Sequence, residues 1–211
     1  MVVCFDLGGV LVRICRTWEE GCAAAGVEPR SFEPTHDHAE RRQVLIDALQ
    51  RGELEDHEFH RRVSELFDGA WSPEEVRRVD AAWLLGTYPG TAELVRDLHR
   101  RGHRTACLSN TSAGHWTPLL DFEPVGLLAE RHASHLLGLV KPEQDIYAEF
   151  ERRLGVEPAE IVFFDDLLPN VEAARIRGWD AIRVDHEGDT AAQMRDALED
   201  RKSTRLNSSH T

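Results

Sequence analysis

Three aspartates follow two short apolar segments near opposite ends of the chain. Residues 2–5 (Val-Val-Cys-Phe) lead into Asp6, and residues 161–164 (Ile-Val-Phe-Phe) lead into Asp165 and Asp166. Short runs of Val, Ile and Phe that end in Asp or Gly are typical of strands buried on both faces of a sheet. Because ligands bind beyond the carboxyl ends of parallel strands, we expect Asp6 and Asp166 to meet at one edge of the sheet. Paired carboxylates there suit Mg²⁺, which prefers oxygen ligands.

Two more polar groups stand where a strand or a loop passes into a helix. Ser109 and Asn110 follow an apolar segment, and Lys141 precedes Pro142, which opens a helical pattern. A hydroxyl and backbone N–H groups at such a turn can hold a phosphate, and a lysine supplies compact positive charge to a phosphoryl group. Asp6 is of the residue type that attacks phosphorus. Together these groups indicate phosphoryl transfer.

The spacing of the apolar residues predicts two kinds of architecture. From position 89 onward strands alternate with helices, the pattern of a parallel, doubly wound α/β sheet. Residues 15–88 instead carry four apolar stripes at helical spacing, the last opened by Ser72 and Pro73 as N-cap and first-turn residues. We therefore predict a discontinuous α/β core, residues 1–14 and 89–199, with an inserted four-helix subdomain.

The bulk composition narrows the function classes. A length of 211 residues with 41% hydrophobic residues is enough for one sizeable core and an inserted subdomain. A formal charge of −13 argues against a nucleic-acid partner, which would require clustered Lys and Arg. No stretch has the apolar length of a membrane span, and the first strand begins almost at Met1. We therefore expect a cytoplasmic enzyme without a membrane partner.

The cysteines and histidines show no metal-binding pattern in the sequence. His57 and His60 are three residues apart on a predicted helix, and we interpret them as part of a solvated face. The cysteines form neither a CxxC pair nor zinc-type spacing, so we expect reduced structural thiols. They are Cys4, Cys15, Cys22 and Cys107.

The end of the chain has a sequence of unusual origin. Residues 200–210 read Asp-Arg-Lys-Ser-Thr-Arg-Leu-Asn-Ser-Ser-His, which a sequencing-adapter DNA encodes residue for residue. We therefore expect residues 200–211 to be a translated adapter that lies outside the fold. On this interpretation the gene is interrupted near Glu199, and the natural C-terminus is not the printed one.

Four motifs lie between residues 2 and 184, at residues 5–11, 108–111, 139–142 and 163–174. In their order and spacing they resemble the motifs of the haloacid dehalogenase superfamily of hydrolases. The resemblance implies a Rossmann-like sheet, a helical cap of C1 type inserted after the first strand, and Mg²⁺ as the cofactor. Residues 109–111, 115–116 and 51–54 further resemble the branch that contains glucose-1-phosphate phosphatase-like enzymes.

The resemblance also implies roles for individual residues. Asp6 would be the nucleophile, and Lys141 would clamp both the phosphate and the nucleophile. Ser109 and Asn110 would hold the phosphate. The implied metal ligands are Asp6, the carbonyl oxygen of Gly8 and Asp166, with Asp165 and Asn170 as supporting residues.

Gly8 departs from the family pattern. Phosphatases of the superfamily usually carry a second Asp at this position as general acid and base, a role worth about 10²–10⁴-fold in rate. The glucose-1-phosphate phosphatase-like branch tolerates Gly there. His115, a cap residue or a water are candidate replacements, and an ordinary packed or surface role is the alternative for His115.

The residues leave three hypotheses about function. The first is a Mg²⁺-dependent phosphomonoesterase that acts on a small phosphorylated metabolite, such as a sugar phosphate, through an aspartyl-phosphate. The second is a 2-haloacid dehalogenase, in which Asp6 displaces halide from carbon without a metal; the doubled Asp165-Asp166 favours the phosphatase. The third is a feeble regulatory or binding homologue that lost turnover with Gly8. The oligomeric state is left open, and so is which cap residue faces the substrate among Arg13, Arg16, Trp18, His36, His38 and Arg42.

Overall fold

The computed structural model describes residues 1–30 and 35–208; the side chain of the candidate His36 lies outside the described part. The strands of the described chain are β1 (Val2–Phe5), β2 (Val12–Ile14), β3 (Leu84–Thr87), β4 (Arg104–Ser109), β5 (Glu130–Ala133), β6 (Ile161–Asp165) and β7 (Asp180–Arg183). Its α-helices are α1 (Trp18–Ala25), α2 (His36–Gln50), α3 (Asp56–Leu66), α4 (Pro73–Ala81), α5 (Thr91–Arg100), α6 (Ala113–Asp121), α7 (Glu123–Gly126), α8 (Ser134–Leu137), α9 (Gln144–Leu154), α10 (Leu168–Arg177) and α11 (Thr190–Ser208).

Five strands form a parallel sheet in the order β5-β4-β1-β6-β7. The central strand β1 pairs with β4 on one side and with β6 on the other. Phe5 lies opposite Phe164 in this register, so Asp6 and Asp165 leave the sheet side by side. The amide of Asp6 donates a hydrogen bond to the carbonyl oxygen of Phe164 at 2.8 Å, which extends the ladder by one residue.

Helices cover both faces of this sheet. Val3 and Phe5 pack into one apolar cluster with residues of α5 and α11, whereas Val2 and Cys4 pack into a second cluster with residues of α9 and α10. All four cysteines are buried and free. The predicted fold class, a doubly wound parallel α/β sheet with inserted helices, is confirmed.

The helices α1–α4 form an insert with an apolar core of its own. Local signals in the sequence explain where two of them begin. Thr17 accepts a hydrogen bond from the amide of Glu20 at the start of α1. Ser72 and Glu75 form a capping box at the start of α4, and Pro73 occupies its first turn.

An antiparallel ribbon of β2 and β3 joins the insert to the core. Val12 pairs with Thr87, so β3, which the predicted boundary assigns to the insert, lies against a strand of residues 1–14. Within α2, the spacing predicts that Val44 and Leu45 share a buried face. Val44 is instead 67% exposed, and Leu49 is the buried residue of that helix.

The last helix continues beyond the expected end of the fold. We expect residues 200–211 to lie outside the fold, but α11 extends to Ser208 and Arg201 forms an ion pair with Asp180. Once a helix is nucleated, each added residue costs little, which accounts for its continuation into the tail. The adapter origin of these residues stays a prediction. No helix in the described chain has the length and apolar character needed to cross a membrane.

Candidate active site

Three buried carboxylates meet at the carboxyl ends of β1 and β6. One oxygen atom from each of Asp6, Asp165 and Asp166 lies within 4.8 Å of the others. The parallel register explains this geometry, because Asp6 and Asp165 follow paired residues and Asp166 is next along the chain. The predicted convergence of Asp6 and Asp166 is therefore present in the structure.

Lys141 lies between two of these carboxylates. Its Nζ atom is 2.7 Å from Oδ2 of Asp165 and 3.1 Å from Oδ1 of Asp6, and its side chain is fully buried. Burial alone would lower the pKa of Lys141, but the carboxylates of Asp165 and Asp6 raise it above the ordinary lysine value. The lysine is thus held as a cation against Asp6.

Asn110 holds Lys141 through both ends of its amide. Its Nδ2 donates to the carbonyl oxygen of Lys141 at 2.9 Å, and the backbone N–H of Lys141 donates to Oδ1 of Asn110 at 2.9 Å. The resemblance implies that Asn110 holds the phosphate. In the structure its side-chain amide is instead hydrogen-bonded to the backbone of the loop that carries the lysine. Ser109 is buried beside it at the end of β4.

Asp165 and Asn170 form the support that the resemblance implies. The amide of Leu167 donates to Oδ1 of Asp165 at 2.8 Å, and Nδ2 of Asn170 lies 3.1 Å from Oδ1 and 3.0 Å from Oδ2. Tyr147 donates in turn to the carbonyl oxygen of Asn170 at 3.0 Å. Together with Lys141, these donors engage both oxygens of Asp165, so this residue orients the lysine.

Two donors contact the same oxygen atom of Asp6. The amide of Leu7 donates to Oδ1 at 2.7 Å, and Lys141 contacts the same oxygen. Burial, with the neighbouring Asp165 and Asp166, raises the pKa of Asp6 to about 7, although Lys141 and the amide of Leu7 act to lower it. Both contacts fall on Oδ1, whereas Oδ2 takes part in neither of them.

Asp166 is paired with Arg16, which enters the site from the loop between β2 and α1. Nη1 of Arg16 is 2.8 Å from Oδ2 of Asp166. Burial raises the pKa of Asp166, and the guanidinium partly offsets this effect. The arginine passes close to Gly9, where a Cβ would lie 2.3 Å from its Nη2 atom. Sequence reasoning named Arg16 only as a candidate cap residue and did not place it on a predicted metal ligand.

A cavity of about 220 Å³ lies between the core and the insert. The core contributes Leu7, Gly8, Ser109 and Asn110 to its wall, which places the cavity next to the acidic cluster. The insert contributes mostly apolar side chains. Among the candidate cap residues of the sequence analysis, the cavity is lined by Trp18 and Arg42.

Comparison with known proteins identifies the family to which this arrangement belongs. The pattern of the haloacid dehalogenase-like hydrolases matches residues 1–176, from before β1 into the last turn of α10. The chain belongs to this family. This is the family that the four motifs of the sequence indicate.

Several curated proteins are similar in sequence to parts of this chain. A phosphatase of Mycobacterium tuberculosis is 29% identical over 133 residues, which cover 60% of this chain and 59% of that protein. The enolase-phosphatase of Yersinia pestis is 24% identical over 94 residues, 44% of this chain and 41% of that protein. Acyl-CoA dehydrogenase family member 10 of Mus musculus is 31% identical over 114 residues, 53% of this chain and 10% of that protein. The chain thus spans less than two thirds of each relative.

Solved structures of the family share its fold. A haloacid dehalogenase family enzyme of Bacteroides thetaiotaomicron has a TM-score of 0.74 at 20% identity, with 91% of this chain and 97% of that chain covered. Its complex with magnesium and inorganic phosphate has a TM-score of 0.71 at 22% identity, with 89% and 96% covered. The L-2-haloacid dehalogenase of Xanthobacter autotrophicus has a TM-score of 0.63 at 20% identity, with 87% and 76% covered.

The acidic cluster of this hydrolase fits a hard divalent cation. Within the cluster, Lys141 and Arg16 oppose three carboxylates, which leaves an excess of negative charge. Asp165 is engaged by its supporting donors, so Asp6 and Asp166 are the carboxylates best suited to bind a metal. Carboxylate oxygens are the type of ligand that Mg²⁺ prefers, and the carbonyl oxygen of Gly8 is the third ligand that the resemblance implies.

Asp80 of the insert links two histidines from different helices, His60 of α3 and His115 of α6. Nε2 of His60 is 3.0 Å from its Oδ2, and Nε2 of His115 is 3.3 Å from its Oδ1 and 2.8 Å from its carbonyl oxygen. His60 is buried, so its interpretation as part of a solvated face is wrong. Sequence reasoning missed Asp80, although a carboxylate between Val79 and Trp83 on the apolar stripe of α4 is a visible signal.

These contacts shift the pKa values of both partners. Burial would raise the pKa of Asp80, but the hydrogen bonds from His115 and His60 lower it below the ordinary aspartate value. Burial would lower the pKa of His115, but Asp80 raises it above the ordinary histidine value. His115 therefore joins core and insert, and the Nε2 atom that could donate a proton to a leaving group is engaged with Asp80.

Proposed function

We propose that this hydrolase is a Mg²⁺-dependent phosphomonoesterase that acts on a small phosphorylated metabolite through an aspartyl-phosphate on Asp6. The observation that carries the proposal is the placement of a lysine-paired carboxylate, Asp6, beside a second carboxylate, Asp166, next to a cavity. The names of two curated relatives, a phosphatase and an enolase-phosphatase, support the same reaction class.

In the proposed reaction Asp6 attacks the phosphorus atom of the ester. A bond forms between its Oδ2 and phosphorus, and the ester P–O bond breaks with its electron pair on the leaving oxygen. Lys141 and the amide of Leu7 hold Oδ1 and fix the direction of attack. Water then attacks the phosphorus atom, which releases inorganic phosphate and restores the carboxylate. When bound by Asp6, Asp166 and the carbonyl oxygen of Gly8, Mg²⁺ supplies positive charge to the phosphoryl oxygens.

Phosphate binding is assigned to Ser109 and the turn that follows it. Ser109 ends β4 and lines the cavity, and its hydroxyl and the adjacent amides suit phosphoryl oxygens. Asn110 contributes indirectly, because it fixes the loop of Lys141. Since Gly8 carries no acid, we assign the proton for the leaving oxygen to a water.

The proposal includes the glucose-1-phosphate phosphatase-like branch, a sugar phosphate as candidate substrate, and residues 15–88 as a C1-type cap. The branch motif at residues 51–54 lies at the contact between cap and core. Arg51 forms an ion pair with Glu143, and a Cβ on Gly52 would lie 2.7 Å from the carbonyl oxygen of His135. Residues 51–54 therefore form part of the contact that holds the cap against the core.

The alternative reaction is dehalogenation of a 2-haloacid. Solved dehalogenases share the fold at TM-scores of 0.63 and 0.64, so the fold alone is compatible with both reactions. Displacement of halide from carbon by Asp6 requires no metal, and Asp166 would then have no role in the reaction. The cluster of three carboxylates favours phosphoryl transfer.

The test combines metal dependence with trapping of the intermediate. Turnover of a panel of sugar, nucleotide and acid phosphates should require Mg²⁺ and stop in EDTA. Asp6→Asn should abolish turnover without lowering Tm, because an amide is not a nucleophile. Rapid quenching with labelled phosphate ester should leave label on the parent protein and none on the variant. Asp121→Asn, at an exposed aspartate of α6, is the matched control and should behave like the parent.

Each alternative predicts a different result in the same assays. Full activity in EDTA with chloride release from 2-chloropropionate would establish the dehalogenase. A lack of sustained turnover on the whole panel, with intact folding, would support the feeble homologue. Turnover by Asp6→Asn at the parent's rate would exclude the covalent mechanism.

A further inference from the structure

Arg42 is a cation on the apolar face of a helix. In α2 it precedes Ile46 by four residues and Leu49 by seven, so the three side chains share one face. All three line the cavity between the core and the insert. A charged side chain in such a position is costly unless a partner compensates its charge.

The described residues provide no close partner for this guanidinium. Its Nε atom is buried without a hydrogen bond, and the carboxylates of Glu19 and Asp80 act on it only from beyond ion-pair distance. The nearest compensation is the ring of Trp83, whose centroid lies 6.0 Å from Cζ. Burial lowers the pKa of Arg42, whereas the paired Arg51 has a raised pKa.

A second donor of the cavity wall is also unsatisfied. The indole Nε1 of Trp18 is buried and has no partner among the described residues. The carboxylate of this wall, Asp80, is already engaged by His60 and His115. Apart from Gln50 and the engaged Asp80, the insert therefore presents an uncompensated cation, a free N–H group and apolar side chains to whatever fills the cavity.

We infer that the substrate carries a carboxylate in its leaving group, which pairs with Arg42 while the phosphoryl group lies at Ser109. This inference rests on the proposed phosphomonoesterase function and, in place of the candidate sugar phosphate, names a substrate class: a phosphate ester of a small hydroxy acid with an apolar body. The volume of about 220 Å³ is below the roughly 300–1,000 Å³ of sites for drug-sized ligands. It favours the compact carboxylate over a second phosphate.

The test compares two esters that differ in this one group. 4-(Carboxymethyl)phenyl phosphate and 4-ethylphenyl phosphate are similar in size and release phenols of similar acidity. In the parent enzyme the carboxylated ester should have a kcat/KM at least tenfold higher. Arg42→Met, which keeps the unbranched stem of the side chain but not the guanidinium, should remove this preference and leave the neutral ester within twofold. Arg42→Lys should restore part of the preference.

Two further measurements test whether the preference for the carboxylated ester is due to Arg42 and to binding. Arg41→Met, at the exposed neighbouring arginine, is the matched control and should keep the parent's preference. Calorimetric binding of both esters to Asp6→Asn should show the same tenfold difference in Kd without turnover, and it applies even if Arg42→Met does not fold.

The outcomes separate this inference from the proposed function. Equal kcat/KM for the two esters in the parent overturns the inference and leaves the phosphatase intact. An equal loss for both esters in Arg42→Met also overturns it, because Arg42 would then act on the phosphoryl group. If the parent hydrolyses neither ester, the proposed function is in question, and the calorimetry on Asp6→Asn still decides the inference.

Discussion

Gly8 and Gly9 lie together at the site but have different backbone conformations. A Cβ built on Gly8 would lie 2.9 Å from Cδ1 of Ile14, the end of a flexible side chain. Gly9 has a φ of 79°, and a Cβ there would lie 2.4 Å from Oδ2 of Asp166. The requirement for glycine therefore belongs to Gly9, whereas position 8 accepts a side chain after a small shift of Ile14.

Because position 8 accepts a side chain, the effect of the missing acid can be tested by substitution of Gly8. Gly8→Asp should raise kcat/KM for alkyl phosphates by up to about 10²-fold and change aryl phosphates little, because only poor leaving groups need a proton donor. The measurement is kcat/KM against leaving-group pKa for both proteins, with Tm as a check on folding. Gly9→Ala is the control and should lower all rates together. A flat dependence in the parent would mean that another group already donates the proton.

Arg16 holds Asp166 at the position where a metal ligand is proposed. A bound cation and the guanidinium compete for the same carboxylate, so Arg16→Gln should tighten Mg²⁺ binding about three- to tenfold. Calorimetric titration of the parent and the variant with Mg²⁺ measures this directly. Arg13→Gln, on the neighbouring strand, should leave Kd unchanged. Weaker binding in Arg16→Gln would show that the arginine positions Asp166 for the metal.

At the scale of elements, Asp80 connects three helices across the cavity. It lies on α4 and contacts His60 from α3 and His115 from α6. Asp80 also acts electrostatically on Arg42, and Asp56 acts on His115. The α6 partner belongs to the core, whereas the others belong to the insert. The bridge formed by Asp80, His60 and His115 therefore stabilises one orientation of the insert relative to the core.

The shifted pKa values of this bridge predict a pH-dependent stability. The raised pKa of His115 stabilises the fold fully below the ordinary value of about 6.5, and this contribution is lost as pH rises through the folded pKa. The lowered pKa of Asp80 stabilises it above about 3.9, and this contribution is lost only in acid. Both contributions to stability are therefore fully present between about pH 3.9 and about pH 6.5.

His115→Gln should therefore cost most near pH 5.5 and least near pH 9. We expect a loss of about 1 kcal/mol at the lower pH, or about 2–4 °C in Tm. Thermal unfolding of parent and variant across this range measures the difference. His57→Gln, at an exposed histidine of α3, is the control and should show no such trend. A constant difference at all pH values would exclude a charged His115 from the bridge.

At the scale of the whole molecule, the parts that could be predicted from sequence depend on local signals and strand register. Asp6 and Asp165 converge because paired parallel strands end at the same level. The contacts of Arg16 with Asp166 and of Asp80 with His115 could not be predicted, because they depend on how the insert docks onto the core. Even so, a charge within an apolar stripe, as at Arg42 and Asp80, marks a position that requires a partner.

The position at which the fold ends near the C-terminus can be tested by deletion and by substitution within α11. Met194 and Leu198 of α11 are buried in the core, and Arg201 is paired with Asp180. If the tail is a translated adapter, deletion of residues 202–211 should change Tm by less than about 2 °C. Met194→Ala should lower Tm by at least about 4 °C, because it removes buried apolar contacts. Thermal unfolding of both proteins decides the point, since a deletion as costly as Met194→Ala would make these residues part of the fold.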